Sequence, residues 1–374
     1  MRRHPCVWMG AALCLPVSQA RAAWEVNMPR GATEISRSVF DLHMTIFWIC
    51  VAIGVLVFSA MFWSIWRHRR SRGHQPARFH ENTRVEILWT IVPLLILVGM
   101  AVPATRTLIH IYDTSEPDLD VQVTGYQWRW HYKYLGEDVE FFSNMSTPRE
   151  QINNEQAKGE HYLLEVDEPL VLPAGAKVRF LFTAADVIHS WWVPALAVKK
   201  DAIPGFINES WTRVDEPGLY RGQCTELCGR DHAFMPVVVD VMSPEDFSIW
   251  LAAKKADAAA LEALAGQAWT LAELAERGEK VYQTSCLACH QANGEGIPPV
   301  FPGLRGSAVV KGGMEEHLRI VVNGVPGTSM QAFGPQLSDL DIAAVITYER
   351  NAWGNDVGDM VTPEDVLTFR QSQP

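Results

Sequence analysis

Cys224-Thr225-Glu226-Leu227-Cys228-Gly229-Arg230-Asp231-His232-Ala233-Phe234-Met235 brings two thiols, an imidazole and a thioether into one short loop. Soft sulfur donors beside imidazole suit copper, whereas hard cations prefer oxygen ligands. Taken alone, the loop is also compatible with a disulfide, which oxidising compartments favour, and with part of a zinc site. Met235 on its own is compatible with simple core packing. The rest of the chain has to separate these readings.

The chain has 374 residues and a net charge of -11, enough for more than one domain. The acidic balance argues against a nucleic-acid partner, which requires a basic face. It fits a soluble portion that meets basic proteins. The seven cysteines are clustered: Cys6 and Cys14 near the N-terminus, Cys50 in an apolar run, and two tight pairs. A disulfide framework would spread them along the chain, so the two local pairs read as cofactor sites. Arg2 and Arg3, an apolar stretch over 6–17 and small residues around Ala20-Arg21-Ala22 predict a secretory signal over 1–22.

Residues 40–66 and 85–111 are long apolar runs, each meeting the ~20 residues that a bilayer-spanning helix needs. Trp63 and Trp66 followed by Arg67-His68-Arg69-Arg70-Ser71-Arg72 mark a cytoplasmic interface. The N-terminus and everything beyond residue 111 therefore belong on the outer side. Pro93 and Pro103 interrupt the second run, which membrane helices tolerate. Glu86, just inside that run, reads as an interfacial group snorkelling to water or as a point of proton uptake. His43 and His110 lie near the outer ends, and no histidine pair sits at mid-membrane. This chain alone cannot hold a membrane-embedded haem.

After residue 113 the texture changes. Residues 119–124 alternate at period two, the signal of a half-buried strand. Further short strands are predicted over 162–166, 177–183, 187–193, 218–222 and 237–241, with turns at Pro173-Ala174-Gly175 and Glu216-Pro217-Gly218. Such spacing predicts a β-sandwich or barrel. In Trp128-Arg129-Trp130, strand alternation would put both tryptophans on one face.

Three segments carry a family resemblance: Val187-Ile188-His189-Ser190-Trp191, Lys200-Asp201-Ala202-Ile203-Pro204-Gly205, and the cysteine loop. Together they resemble subunit II of the haem–copper cytochrome c oxidases. The resemblance implies a cupredoxin-like sandwich holding the dinuclear copper centre CuA. His189 and His232 would be terminal ligands and Cys224 and Cys228 bridging thiolates. Met235 would be a weak ligand, and Glu226 would ligate through its carbonyl while its side chain reaches a magnesium or manganese ion at the subunit interface. Trp128 would mark where electrons enter, and Glu86 the mouth of a proton channel. Arg129 departs from the tyrosine common between the two tryptophans. Acids outnumber Lys plus Arg in this domain, so its field would attract a basic donor in a salt-dependent way.

Residues 244–269 are alanine-rich and read as a helix or semi-rigid tether. Cys286-Leu287-Ala288-Cys289-His290 then reads as attachment of c-type haem, with His290 on iron. Met330, in Asn323-Gly324-Val325-Pro326-Gly327-Thr328-Ser329-Met330, resembles the methionine loop of class I cytochromes c, and His/Met ligation raises the potential. Gln331 stands where proline is usual, and Met314 is the rival ligand. Helices are predicted over 271–282, 315–322 and from Ser338 through about 352.

The expected protein is thus a multi-domain membrane protein. Residues 1–22 form the signal, 23–111 an N-terminal segment and two-helix transmembrane hairpin, and 112–243 an all-β cupredoxin-like CuA domain. An Ala-rich linker over 244–269 leads to an all-α class I cytochrome c domain over 270–374. The resemblance points to the caa3-type subunit II, in the bacterial inner membrane with both redox domains on the periplasmic side. It implies CuA, covalently bound haem c, oxidase subunit I and other oxidase subunits as partners. The external donor would be a cytochrome c or a quinol-oxidising complex. Oxygen reduction and proton pumping would take place in subunit I. A CuA-type nitric oxide reductase shares the same parts, and a membrane-anchored copper-binding or assembly protein shares the copper ligands but needs no haem.

Overall fold

The computed structural model describes residues 27–73, 75 and 80–373; the expected signal over 1–22 lies outside the described residues. Two long helices come first, α1 (Glu34–Arg67) and α2 (Thr83–Ile111). Both begin earlier than their apolar runs because caps define helix starts where hydropathy does not. The Thr33 hydroxyl accepts from the Ser36 amide while Ser36 Oγ accepts from the Thr33 amide, satisfying two otherwise orphaned donors. Asn82 does the same for the Val85 amide. Large apolar side chains such as Leu56, Phe62, Leu95 and Ile109 point outward. In water that surface would be unfavourable; in lipid it is what a span presents.

The start of α1 and the end of α2 are tied to the next domain. The Ala32 amide donates to the Ala195 carbonyl (2.7 Å) and Thr33 Oγ1 to the Leu196 carbonyl (3.1 Å). At the end of α2, the His110 carbonyl accepts from Trp211 Nε1 at 3.2 Å. The start of α1 and the end of α2 therefore lie on the same side as the β domain.

That domain is two stacked five-stranded sheets. Its elements in order are β1 (Leu119–Tyr126), β2 (Arg129–Tyr134), β3 (Val139–Ser143), the one-turn α3 (Arg149–Ile152), β4 (Leu170–Pro173), β5 (Val178–Ala184) and β6 (His189–Val193). They continue as β7 (Val198–Ala202), β8 (Asn208–Thr212), β9 (Gly218–Cys224) and β10 (Pro236–Met242). One sheet runs β3-β2-β1-β5-β8 and the other β4-β10-β9-β6-β7. Val121, Trp130, Tyr132, Phe180, Phe182, Trp191, Val237 and Val239 fill the space between them. The alternating burial of β5 is the period-two pattern of a strand with one face on the core.

Two expectations need correction. Residues 162–166 are not a strand: Leu163 takes φ +63°, and its amide donates to Thr147 Oγ1 (3.1 Å) rather than to a neighbouring strand. Only Val166 makes an isolated bridge, to Met145. Trp128 is not on a strand either. It sits in the two-residue turn between β1 and β2, half-buried, whereas Trp130 is fully buried in the core. Period-two alternation therefore does not extend across residues 128–130.

The Ala-rich stretch is a helix, α4 (Pro244–Ala265), capped by Ser243. Phe247, Trp250 and Leu251 pack on the sandwich core. Near the other end, Leu261, Leu264 and Ala265, with the following Trp269, pack against Leu274, Leu340 and Ala344 of the last domain. A helix anchored at both ends acts as a strut rather than a free tether.

The last domain comprises α5 (Leu271–Ser285), α6 (Leu287–His290), α7 (Ala308–Lys311), α8 (Met314–Asn323), α9 (Asp339–Asn351) and α10 (Pro363–Ser372). Helices α5 and α9 cross closely at Gly278, where any Cβ would fall 2.0 Å from the Ala344 carbonyl oxygen. The predicted closing helix is followed by α10, whose Val366 and Phe369 complete the core. Its short, weakly apolar sequence gave no periodic signal.

Buried Arg350 helps hold this domain together. It makes paired hydrogen bonds to Asp359 (2.7 and 2.6 Å) and donates to the Val310 and Gly312 carbonyls. Arg350 holds the Asp359 carboxyl below its usual range. Asp359→Asn should cost about 1–2 kcal/mol at neutral pH, a modest figure because Asp359 is partly exposed and solvent screens the pair. A depressed carboxylate pKa stabilises above the unfolded value and loses that contribution as pH falls through the folded value. Thermal melting followed by circular dichroism should therefore separate variant from wild type at pH 7 and show the two converging in strong acid.

Candidate metal centre

Strands β6 and β9 are adjacent and antiparallel, with Trp191 opposite Cys224. This register puts the first residue of β6, His189, beside the last residue of β9. The Thr225 amide donates to the Ser190 carbonyl (2.9 Å), and the Cys224 amide to the Met235 carbonyl (3.0 Å). The loop 224–235 is thereby clamped at both ends to the rim of a rigid sheet.

Within it, potential ligand atoms of His189, Cys224 and Cys228 all lie within 4.8 Å of one another, and all three residues are buried. The two sulfurs are 3.9 Å apart, far beyond the ~2.05 Å of a disulfide. His232 joins from the side, with Nδ1 3.4 Å from Cys228 Sγ. The Glu226 carbonyl lies 3.3 Å from Cys224 Sγ, while its side chain is exposed. Met235 is buried in the sandwich core just beneath the loop. All six predicted loop and strand residues are thus gathered at one end of the sandwich.

Asp186 is a participant that the sequence reading missed. Its carboxylate takes His189 Nε2 at 2.8 Å, leaving the buried Nδ1 without a hydrogen-bond partner. An orphaned ring nitrogen aimed at two thiols, with the other nitrogen held by a carboxylate, fits a metal-ligating histidine. Position three before His189 was the only available hint, and an acid beside a strand carries little signal. Gly125 supports the ring from below, since a Cβ there would meet His189 Cδ2 at 2.7 Å.

The electrostatics agree. The adjacent Cys228 thiol, and after it the nearby His189 ring, pull the Cys224 thiol well below its usual pKa. The same contact, with burial, pushes Cys228 up. One thiolate therefore forms readily, and the second requires nearby positive charge, which bound metal provides. Burial disfavours charge on His189, but the hydrogen bond to the Asp186 carboxylate and the nearby Cys224 thiol outweigh it and raise its pKa. The donor set of two thiols, two imidazoles, a thioether and a carbonyl suits copper.

The second predicted site lies in the helical domain. His290 is buried, and its Nδ1 donates to the Pro302 carbonyl at 2.9 Å. Nε2 is left as the ligating nitrogen, the tautomer an axial haem ligand needs. The Cys286 and Cys289 thiols are free and raised above their usual pKa by burial. Met330 and Met314 both pack on the same core as Cys286. The loop bearing Met330 is closed by the Val325 amide donating to the Met330 carbonyl (2.9 Å). These residues fit a covalently held haem.

Trp128 and Glu86 lie elsewhere. Trp128 Nε1 donates to the Cys228 carbonyl at 3.1 Å, which places the indole directly against the candidate copper loop. Glu86 lies in the first turn of α2, where Oε1 accepts from the Asn82 amide at 3.0 Å. Its local role is thus to cap the helix.

A cupredoxin-like sandwich on a membrane hairpin, joined to a CxxCH helical domain, defines a membrane-anchored electron-transfer metalloprotein. Comparisons with known proteins agree with this. Residues 119–242 match the family described as cytochrome C oxidase subunit II, periplasmic domain, and residues 21–107 its transmembrane domain. Residues 273–348 match the family described as cytochrome C oxidase, cbb3-type, subunit III. A probable cytochrome c oxidase subunit 2 of Rickettsia felis is 42% identical over 231 residues, covering 62% of this chain and 72% of the relative. Cytochrome c oxidase subunit 2 of Cereibacter sphaeroides is 37% identical over 233 residues, covering 59% and 77%. Among solved structures, the periplasmic domain of subunit II of the Bradyrhizobium japonicum cytochrome oxidase is 39% identical, covering 38% of this chain and 98% of that one, with a TM-score of 0.35. The chain belongs to the cytochrome c oxidase subunit 2 family, as a caa3-type fusion with a C-terminal cytochrome c domain.

Proposed function

We propose that this subunit relays electrons from an external donor through its own haem c to CuA and on to haem in subunit I, where oxygen is reduced with proton pumping. The observation that carries this reading is the His189, Cys224 and Cys228 cluster with Asp186 fixing the imidazole. Bound there, paired copper would supply one-electron chemistry shared over two metals, and haem c would supply the same in the last domain. His189, Cys224, Glu226, Cys228, His232 and Met235 would hold the copper; Cys286, Cys289, His290 and Met330 would hold the haem.

The protein's part is to preset these ligands. A loop clamped to a sheet edge changes little when charge changes, which keeps reorganisation small. The exposed Glu226 side chain, beside the outward-facing Leu227, is suited to a magnesium or manganese ion shared with subunit I. Trp128 against the Cys228 carbonyl supports a role in passing electrons to the copper. Other oxidase subunits would pack on the apolar hairpin, in the bacterial inner membrane, with both redox domains in the periplasm.

An optical and EPR spectrum of the full chain tests the reading: a low-spin c haem together with a mixed-valence dinuclear copper signal is expected, and a single-copper or zinc signature would overturn the copper assignment. Glu86→Gln in the assembled oxidase should slow proton-linked turnover while leaving both spectra intact. Turnover at the wild-type rate would leave Glu86 with its capping role alone.

A further inference from the structure

The turn between β1 and β2 is where the two redox domains touch. Arg129 is 8% exposed, and both domains bury it. Its guanidinium lies over the Phe142 ring, 4.2 Å from the centroid. Its Nη1 donates to Ser285 Oγ (3.4 Å) and its Nη2 to Gln336 Oε1 (2.5 Å), both in the cytochrome domain. Burial lowers its pKa to about 10, so it remains cationic at neutral pH.

Two residues earlier, the Gln127 carbonyl accepts from Gln331 Nε2 at 2.8 Å. Gln331 is linked back to Gln336, whose Nε2 donates to Gln331 Oε1 (3.1 Å) and to the Ala332 carbonyl (2.7 Å). Arg129, Gln336, Gln331 and Gln127 therefore close a ring of polar contacts around Trp128. The Gln127 side-chain amide also donates to the Cys228 carbonyl at 2.8 Å, the same acceptor that Trp128 uses.

A buried cation needs its hydrogen bonds, and the only hydrogen-bond partners seen for the Arg129 guanidinium among the described residues belong to the other domain. Undocking would strip it of both. The ring also links Gln331, next to Met330, and Ser285, next to Cys286, to the turn that touches a candidate copper ligand. Arg129 and Gln331, the two positions where the sequence departs from the resemblance, meet at this one interface.

We propose that Arg129, Gln127, Gln331 and Gln336 form a latch that seats this chain's own cytochrome domain on the Gln127–Trp128 turn and closes that face to other proteins. The inference rests on the reading that the two domains carry haem c and CuA. Helix α4, packed at both ends, keeps the two latch halves at high effective concentration.

The test uses the full chain with its partner subunits in lipid nanodiscs, comparing wild type, Arg129→Glu, and Arg129→Glu with Gln336→Arg. Two quantities are read: amide hydrogen exchange over 125–130 and 325–336, and electron equilibration between the two centres after photoreduction. Arg129→Glu should speed exchange in both segments by about tenfold or more, the scale set by hydrogen bonds to a charged group. It should also slow equilibration with both optical spectra unchanged, and let a soluble c-type cytochrome cross-link to the β1–β2 turn. Gln336→Arg should restore part of each effect by re-pairing the charges. Unchanged exchange and equilibration in Arg129→Glu, or no rescue by Gln336→Arg, overturns the latch. If Arg129→Glu does not fold, Gln331→Ala carries the same test at Gln127, and wild-type exchange there overturns the latch equally. A wild-type spectrum lacking copper or haem would instead overturn the underlying functional reading, which exchange does not address.

Discussion

Cys228→Ser is expected to abolish the dinuclear copper signal while leaving the haem c spectrum intact. Cys228 lies between Cys224, with the sulfurs 3.9 Å apart, and His232, whose Nδ1 is 3.4 Å away, so its sulfur faces ligands from both ends of the loop. A serine hydroxyl keeps the volume but is a hard donor that would not hold a soft metal as a thiolate would. Losing a supporting partner costs about 10–100-fold in metal affinity, and losing a thiol that would itself hold the metal should exceed that. Asp186→Asn provides the graded comparison: with the His189 ring no longer held by a carboxylate, copper affinity should fall within that 10–100-fold range. Copper content by elemental analysis and EPR of the purified chain distinguishes the two variants. Two coppers per chain retained in Cys228→Ser would remove the thiolate from the ligand set.

Met330→Ala should have the other large effect, confined to the cytochrome. It is expected to remove the methionine–iron spectral band and lower the haem midpoint potential, because a thioether axial ligand raises it. The copper signal should not change. Met314 packs on the same core and is the internal control: Met314→Ala should leave the band in place. If Met330→Ala keeps the band and Met314→Ala loses it, the axial assignment moves to Met314.

The chain's organisation was largely legible in one dimension because its strongest signals are local. Hydropathy marked both spans, although not their capped first turns at Thr33 and Asn82. CxxCH and the cysteine loop each hold most of a site within a few residues. Strand alternation worked where a strand has one buried face, as in β5, and failed at 162–166, where Leu163 turns the chain with positive φ. It failed again at Trp128, which lies in a turn where period two has no meaning. Helix α10 escaped notice because its burial depends on α8 and α9 rather than on its own pattern.

The sequence by itself therefore determined the membrane hairpin, the order of the domains and nearly all candidate ligands, since each is encoded by residue type at short spacing. Tertiary structure decided the rest. It brought His189 to the thiols through the pairing of β6 with β9 and set Asp186 behind its ring. It packed the alanine-rich helix, already expected as a helix or semi-rigid tether, on two cores as a strut. It also joined Arg129 to Gln336 across 207 positions of chain. Contacts of that kind depend on how two folded surfaces meet, and no local spacing can carry them.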